Sequence, residues 1–245
     1  MSLNVDKTHF MIFRSRQRKL SRTIDISING SIISEVQSTK FLGVIIDSHL
    51  TWKNHIDYIS SKIARNIGII VKGRRVFDKE TLLTLYYSFV YPYLNYCIHL
   101  WGSTYQTYLY KLNVLHKRVI RIIAGVNRRE HTEPLFKNLG ILNIDHLFAY
   151  NIGLLIFKYH HKRLPSVLDK FVKNCDIHDH DTRQSKHLHI PDFSTDPGEM
   201  SFKTQAVMIW NKILKSLKVD IKIGTFKKHL KAFVISKGRL NQSFI

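Results

Sequence analysis

Acidic residues are scarce in this chain. Asp and Glu number 18 against 38 Lys and Arg, a formal net charge of +20. The shortage is concentrated: residues 58–77, 81–129, 200–219 and 221–245 contain no acid at all, while 81–129 carries six Lys or Arg. A solvated face normally mixes both signs. A large surplus of one sign works against compaction unless an anionic partner supplies the countercharge. Nucleic acid is the partner class this implies, because Lys and Arg that neutralise phosphates release condensed counterions. The same shortage bears on catalysis. Two-metal phosphoryl transfer needs paired carboxylates. The chain has no adjacent acidic pair, and its one acidic cluster is Asp176, Asp179 and Asp181.

Cysteine is almost as rare. Cys97 and Cys175 can form at most one bridge. That excludes a disulfide framework and fits a reducing intracellular compartment, nucleus or cytoplasm. A P-loop, a Gly-rich dinucleotide motif and a G-x-S-x-G elbow are all missing. So are an internal repeat and an apolar run typical of a signal peptide at residues 1–10. The segment 175–190 holds Cys175, His178, His180, His187 and His189, which are zinc ligand types. Their spacing matches no common zinc signature, so solvated loop histidines are the competing reading.

What is present points to a globular chain. Hydrophobic residues make up 44% of 245, enough to bury a sizeable core. Residues 1–47 read as strands. Ile24, Ile26 and Ile28 alternate with polar residues ahead of Asn29-Gly30, a two-residue hairpin signal. Residues 41–46 form a further apolar strand. From Trp52 the period changes. Ile56, Ile59, Ile63, Ile67 and Ile70 recur at helical spacing, with Lys62, Arg65 and Lys72 off that series. A second helix is expected over 79–101 with a kink at Pro92. A third covers 105–124, with Leu112, Leu115, Val119 and Ile122 inward and Gly125 as its stop. Lys117, Arg118 and Arg121 add positive charge to it. Further helices are expected at 132–140 with Thr132 as cap, at 144–161, at 201–216 and at 225–237, the last opened by Thr225. The segment 174–200 reads as a linker or long loop.

Residues 81–110 lack any charged side chain and are long enough to cross a bilayer. Eight tyrosines, Pro92, Asn95 and His99 make a poor lipid-facing surface, which favours a buried core helix over a membrane span. Tyr86, Tyr87, Tyr91, Tyr93, Tyr96 and Trp101 are candidate stacking platforms for bases. Core filling is the stronger reading for most of them, because aromatics at helical spacing usually pack inward.

An ordered series of short motifs resembles the reverse transcriptases of jockey-like, non-long-terminal-repeat retrotransposons. It runs from Leu3-Asn4-x-x-Lys7-Thr8 through Phe41-Leu42-Gly43-Val44, Asp47, Leu50-Thr51-Trp52 and His55-Ile56. It continues with Leu85-Tyr86, Tyr91-Pro92-Tyr93-Leu94, Tyr96-Cys97, Trp101-Gly102, Lys117-Arg118, Arg121-Ile122, His131-Thr132-x-Pro134, Thr182-Arg183, Trp210-Asn211 and Phe226-Lys227. Each piece is weak alone; the order across nearly the whole chain carries the resemblance.

The resemblance implies an RNA-directed DNA polymerase. Lys7 would lie near the incoming nucleotide as a proton donor to pyrophosphate. Phe41, Leu42 and Gly43 would belong to a primer grip, and the helices after Trp52 to a thumb that clamps template and primer. It places the family's catalytic aspartates upstream of Met1, so no catalytic residue, metal site or cofactor is expected in this chain, and magnesium only in the intact enzyme. The expected fold is α+β: a small N-terminal antiparallel sheet, then a mainly helical thumb-like bundle and C-terminal helices. The expected division is a palm-edge remnant at 1–52, a helical domain at 53–173, a linker at 174–200 and a C-terminal helical segment at 201–245. The expected nucleic-acid contacts are Phe41, Leu42, Gly43, Lys62, Arg65, Lys117, Arg118 and Arg121. The expected partners are RNA, an RNA–DNA duplex and the palm and fingers of the full polymerase, with no membrane. Polymerase activity is not expected from the chain alone. The competing readings are an inactive, self-associating remnant and a membrane-associated protein held by residues 81–110.

Overall fold

A computed structural model describes residues 4–17, 24–165, 171–177, 185–213, 217 and 222–237. The chain divides into two compact units, Met1–Ser61 and Lys62–Ile245.

The first unit is built from short strands and the start of a helix. Strands β2 (Ile26–Ile28) and β3 (Ser31–Glu35) form an antiparallel hairpin, with Ile28 opposite Ser31. Asn29 (φ 51°) and Gly30 (φ 80°) make the intervening turn. Both take the positive φ that an Asn-Gly pair tolerates. Strand β1 (His9–Phe10) joins β3 in parallel, so this three-stranded sheet is mixed rather than wholly antiparallel. A second hairpin pairs β4 (Ser38–Phe41) with β5 (Val44–Asp47) around Leu42 and Gly43. The Gln37 carbonyl accepts the Ser48 N–H at 2.9 Å and the Ser48 carbonyl accepts the Arg14 N–H at 3.1 Å, which ties these segments together.

Helix α1 (Lys53–Gly73) follows β5. Its entry is folded by one carboxylate. Asp47 accepts the N–H groups of His49 (3.2 Å) and Thr51 (3.0 Å) on Oδ1 and of Trp52 (2.8 Å) on Oδ2. Leu50 (φ 51°) and Trp52 (φ 61°) both adopt the left-handed region. That conformation costs an L-residue about 1–2 kcal/mol. Charge-assisted bonds to a half-buried turn offset that cost. His55 then links α1 to β5, its Nδ1 accepting the Ile45 N–H at 3.3 Å. Burial holds the His55 imidazole down at about 4.

The second unit is helical. Its elements after α1 are α2 (Lys79–Phe89), α3 (Tyr91–Asn95), α4 (Ile98–Trp101) and α5 (Gln106–Ala124). Then come α6 (Glu133–Leu139), α7 (Ile144–His160), α8 (Asp196–Glu199), α9 (Phe202–Lys212) and α10 (Ile223–Ser236). Asp78 caps α2 by accepting the Thr81 N–H at 2.9 Å. Asn143 caps α7 by accepting the His146 N–H at 2.8 Å. Each side chain satisfies a backbone donor that the first helical turn leaves without a partner. The core centres on α7, which buries Leu147, Phe148, Ile152, Ile156 and Phe157 against α4, α9 and α10. Phe157 stacks on Phe226 of α10 with ring centroids 4.0 Å apart.

Several elements differ from the sequence reading. The helix expected over 79–101 is three helices, broken at Val90 and at Cys97 (φ 51°). Pro92 lies in the first turn of α3, where its missing N–H has no helical partner to lose. Thr132 sits at the α6 N-cap without a side-chain cap bond. Helix α10 opens at Ile223, so Thr225 lies inside it. Within 174–200 the described residues make specific contacts. Lys173 bridges Leu188 in antiparallel fashion, and Asn211 of α9 binds both the N–H (3.1 Å) and the carbonyl (2.8 Å) of Leu188.

Among the described residues no single helix is long and apolar enough to cross a membrane; α6 and α7 reach that apolarity only as a pair, bent by 46°. Residues 81–110 are divided among four helices; Leu82, Leu94, Ile98 and Leu109 are buried in the unit, while Phe89 and Leu100 are exposed.

Candidate nucleic-acid interface

Helix α5 sorts its residues by chemistry. Leu109, Leu112, His116, Val119, Ile120 and Ile123 are buried. The inward stripe differs from the expected one by about one residue: Leu112 and Val119 hold, whereas Leu115 and Ile122 are only half-buried. The inward face packs on α2 and α6. Lys117 and Arg118 are exposed and Arg121 is half-exposed on the opposite face, where Lys111 joins them. No acid occurs on the helix. Arg121 Nε donates to the Glu130 carbonyl at 2.8 Å, which fixes that guanidinium near the C-terminal end of the face; Arg128 and Arg129, in the loop that follows, are exposed. Lys111, Arg128 and Arg129 lie in the acid-free stretch, but the sequence reading did not single them out.

The aromatic candidates separate into two sets. Tyr86 and Trp101 are fully buried and unavailable for stacking, which corrects their candidacy. The Trp101 indole donates to the Tyr96 carbonyl at 3.0 Å. Tyr91 and Tyr93 are half-buried, and Tyr87 and Tyr96 are exposed. Burial lifts the Tyr86, Tyr87 and Tyr91 phenols above their ordinary range. Tyr110 of α5, which the sequence reading did not name among the aromatic candidates, is exposed on the cationic face.

In the first unit, the two hairpin-tip residues behave differently from their neighbours. Phe41 is 61% and Leu42 75% exposed, whereas Val44 directly after the turn is buried. Leu42 (φ 46°) and Gly43 (φ 85°) both take positive φ. That is the geometry of a tight two-residue turn. Beside the tip, Lys40 donates to the Tyr58 hydroxyl at 3.3 Å with Nζ 4.8 Å from that ring's centroid, a cation–π contact. Lys7 is exposed at the end of a single 3-10 turn (Val5–Lys7), whose first residue is preceded by Asn4; the Asn4 side chain accepts the Lys7 N–H at 3.3 Å. In the second unit's part of α1, Lys62 is half-buried and Arg65 exposed.

The histidine-rich segment is described in part. The pairing of 171–177 with 185–190 joins Asn174 N–H to the His187 carbonyl (3.0 Å) and His189 N–H to the Val172 carbonyl (2.8 Å). Cys175 is an exposed free thiol, and His178 and His180 lie outside the described residues. Among the described residues no group of three His, Cys, Asp or Glu side chains can hold a metal ion.

No family model matches the chain, and no solved structure matches it. Among curated proteins it is similar to the RNA-directed DNA polymerase from mobile element jockey of Drosophila funebris, 28% identical over 144 residues, covering 58% of this chain and 15% of that protein. The jockey polymerase of Drosophila melanogaster is 27% identical over 120 residues, covering 47% of the chain and 13% of that protein. The probable RNA-directed DNA polymerase from transposon X-element of Drosophila melanogaster is 21% identical over 178 residues, covering 69% and 19%. The chain thus spans less than a fifth of the length of each of these relatives.

Proposed function

We propose that this relative of the jockey-like, non-long-terminal-repeat reverse transcriptases is the part of such a polymerase that holds template and primer, with α5 as the principal grip. The observation that carries this reading is the sorting of α5: four cations outward, an apolar face inward and no acid. Contacts of this kind engage phosphates and are tolerant of sequence. An RNA–DNA duplex or an RNA duplex is the ligand class, bound through its backbone.

In the first unit, exposed Phe13, Ile32, Phe41 and Leu42 form the second element of the proposal. Exposed large apolar side chains mark surfaces that associate. Here they are the surface that meets the palm and the primer end, with Phe41, Leu42 and Gly43 in a primer-grip role and Lys7 near the nucleotide. The isolated chain would bind without extending a primer.

The test is an affinity measurement on the full 245-residue chain with an RNA–DNA duplex of two unrelated sequences. Charge reversal at Lys117, Arg118 and Arg121 together is expected to weaken both by the same factor. Unchanged affinity for both removes α5 as the contact surface.

A further inference from the structure

We infer that Tyr110 is a stacking residue for an unpaired base, so that α5 binds a strand leaving the duplex and not only the duplex backbone. This inference rests on the proposed nucleic-acid role of α5 and adds the conformation of the ligand.

Tyr110 is 70% exposed, against 44% for Tyr87 and 50% for Tyr96. It lies on the same face as Val114, Lys117, Arg118 and Arg121, at spacings of four, seven, eight and eleven residues, with Lys111 adjacent to it. From Tyr110 to Arg121 the helix rises about 17 Å, the reach of a few consecutive nucleotides.

Two arguments set this tyrosine apart from an ordinary surface residue. First, packing does not account for it. An exposed position inside a 19-residue helix is best filled by a strong helix former, and Tyr and Val are not among them. Tyr110 is 70% and Val114 46% exposed there, so neither is part of the buried core. Second, the surroundings select the partner. An exposed aromatic on a helix face that also carries cations matches a base, whose flat π-face stacks while the strand's phosphates meet Lys111, Lys117 or Arg118. In a duplex the bases are already stacked on one another, so a stacking gain is available only where the strand is unpaired.

The experiment compares an RNA–DNA duplex carrying a single-stranded template overhang with the same duplex blunt-ended, by fluorescence anisotropy with the full chain in dilute buffer. The wild-type chain is expected to prefer the overhang. Tyr110→Ala is expected to lower overhang affinity about fivefold or more while leaving blunt-duplex affinity unchanged, and Tyr110→Trp to restore the preference. A wild-type chain without overhang preference overturns the inference, as does a Y110A variant that weakens both substrates equally. Failure of the underlying reading looks different: reversal of Lys117, Arg118 and Arg121 would then change affinity for neither substrate.

Discussion

The Tyr86 hydroxyl lies 2.9 Å from Nε2 of His116, and the two rings stack with an interplanar angle of 4°. Tyr86 comes from α2 and His116 from the inward face of α5, so this pair fixes the helix that carries the cations. Phe136 of α6 meets the imidazole edge to face, with ring centroids 4.9 Å apart.

Burial drives the His116 imidazole down to about 3, so the ring is neutral in the fold. The unfolded chain takes up a proton near pH 6.5, which the folded chain refuses. Stability from this residue is therefore complete above about pH 6.5 and falls as pH drops towards 3, by about 1.4 kcal/mol per unit. Denaturant unfolding at pH 7, 6 and 5 is expected to show this decline. His116→Gln, which keeps a hydrogen-bonding group but does not titrate, is expected to make the decline shallower by about 1.4 kcal/mol per unit, leaving the part due to His55, which burial also holds down.

Asp47 is expected to govern the entry to α1. Asp47→Ala leaves three backbone N–H groups without their acceptor and should cost about 1–3 kcal/mol. Hydrogen exchange at the Thr51 and Trp52 amides is expected to accelerate in the variant, with protection in α7 retained.

Leu42→Asn is expected to stabilise the β4–β5 hairpin by about 1 kcal/mol, because Asn tolerates positive φ and Leu does not. The same change removes the exposed apolar tip. A higher melting temperature together with weaker binding to a primed duplex would mark Leu42 as retained for contact.

Gly102 is a requirement of space. Its φ of −70° suits any residue, but an added Cβ would lie 2.6 Å from Phe148 Cδ2 and 2.7 Å from the Ile98 carbonyl oxygen. Gly102→Ala is expected to destabilise the second unit by about 1–3 kcal/mol, read as a lower unfolding midpoint.

How far these features can be read from the sequence depends on how local their causes are. The Asn29-Gly30 turn, the α1 isoleucine series and the cationic face of α5 follow from periodicity or turn chemistry within a few residues, and all three are present. The break at Cys97 has no such mark, because no glycine or proline occupies that left-handed position. Asp47 appeared only as one letter of a motif; its role emerges once the chain turns back on it. The burial of Tyr86 beside His116 and the exposure of Tyr110 depend on which side of each helix meets a neighbour, which spacing alone leaves open for a segment so uniformly rich in tyrosine.

Salt titration tests the central claim most directly. The affinity of the chain for an RNA–DNA duplex should fall linearly in log–log form with rising salt, its slope reporting the phosphates engaged. With Lys117, Arg118 and Arg121 reversed, the slope is expected to become shallower by about one unit for each lost contact. A slope near zero, or one identical in the wild-type and reversed chains, would contradict the assignment of α5 as the nucleic-acid grip.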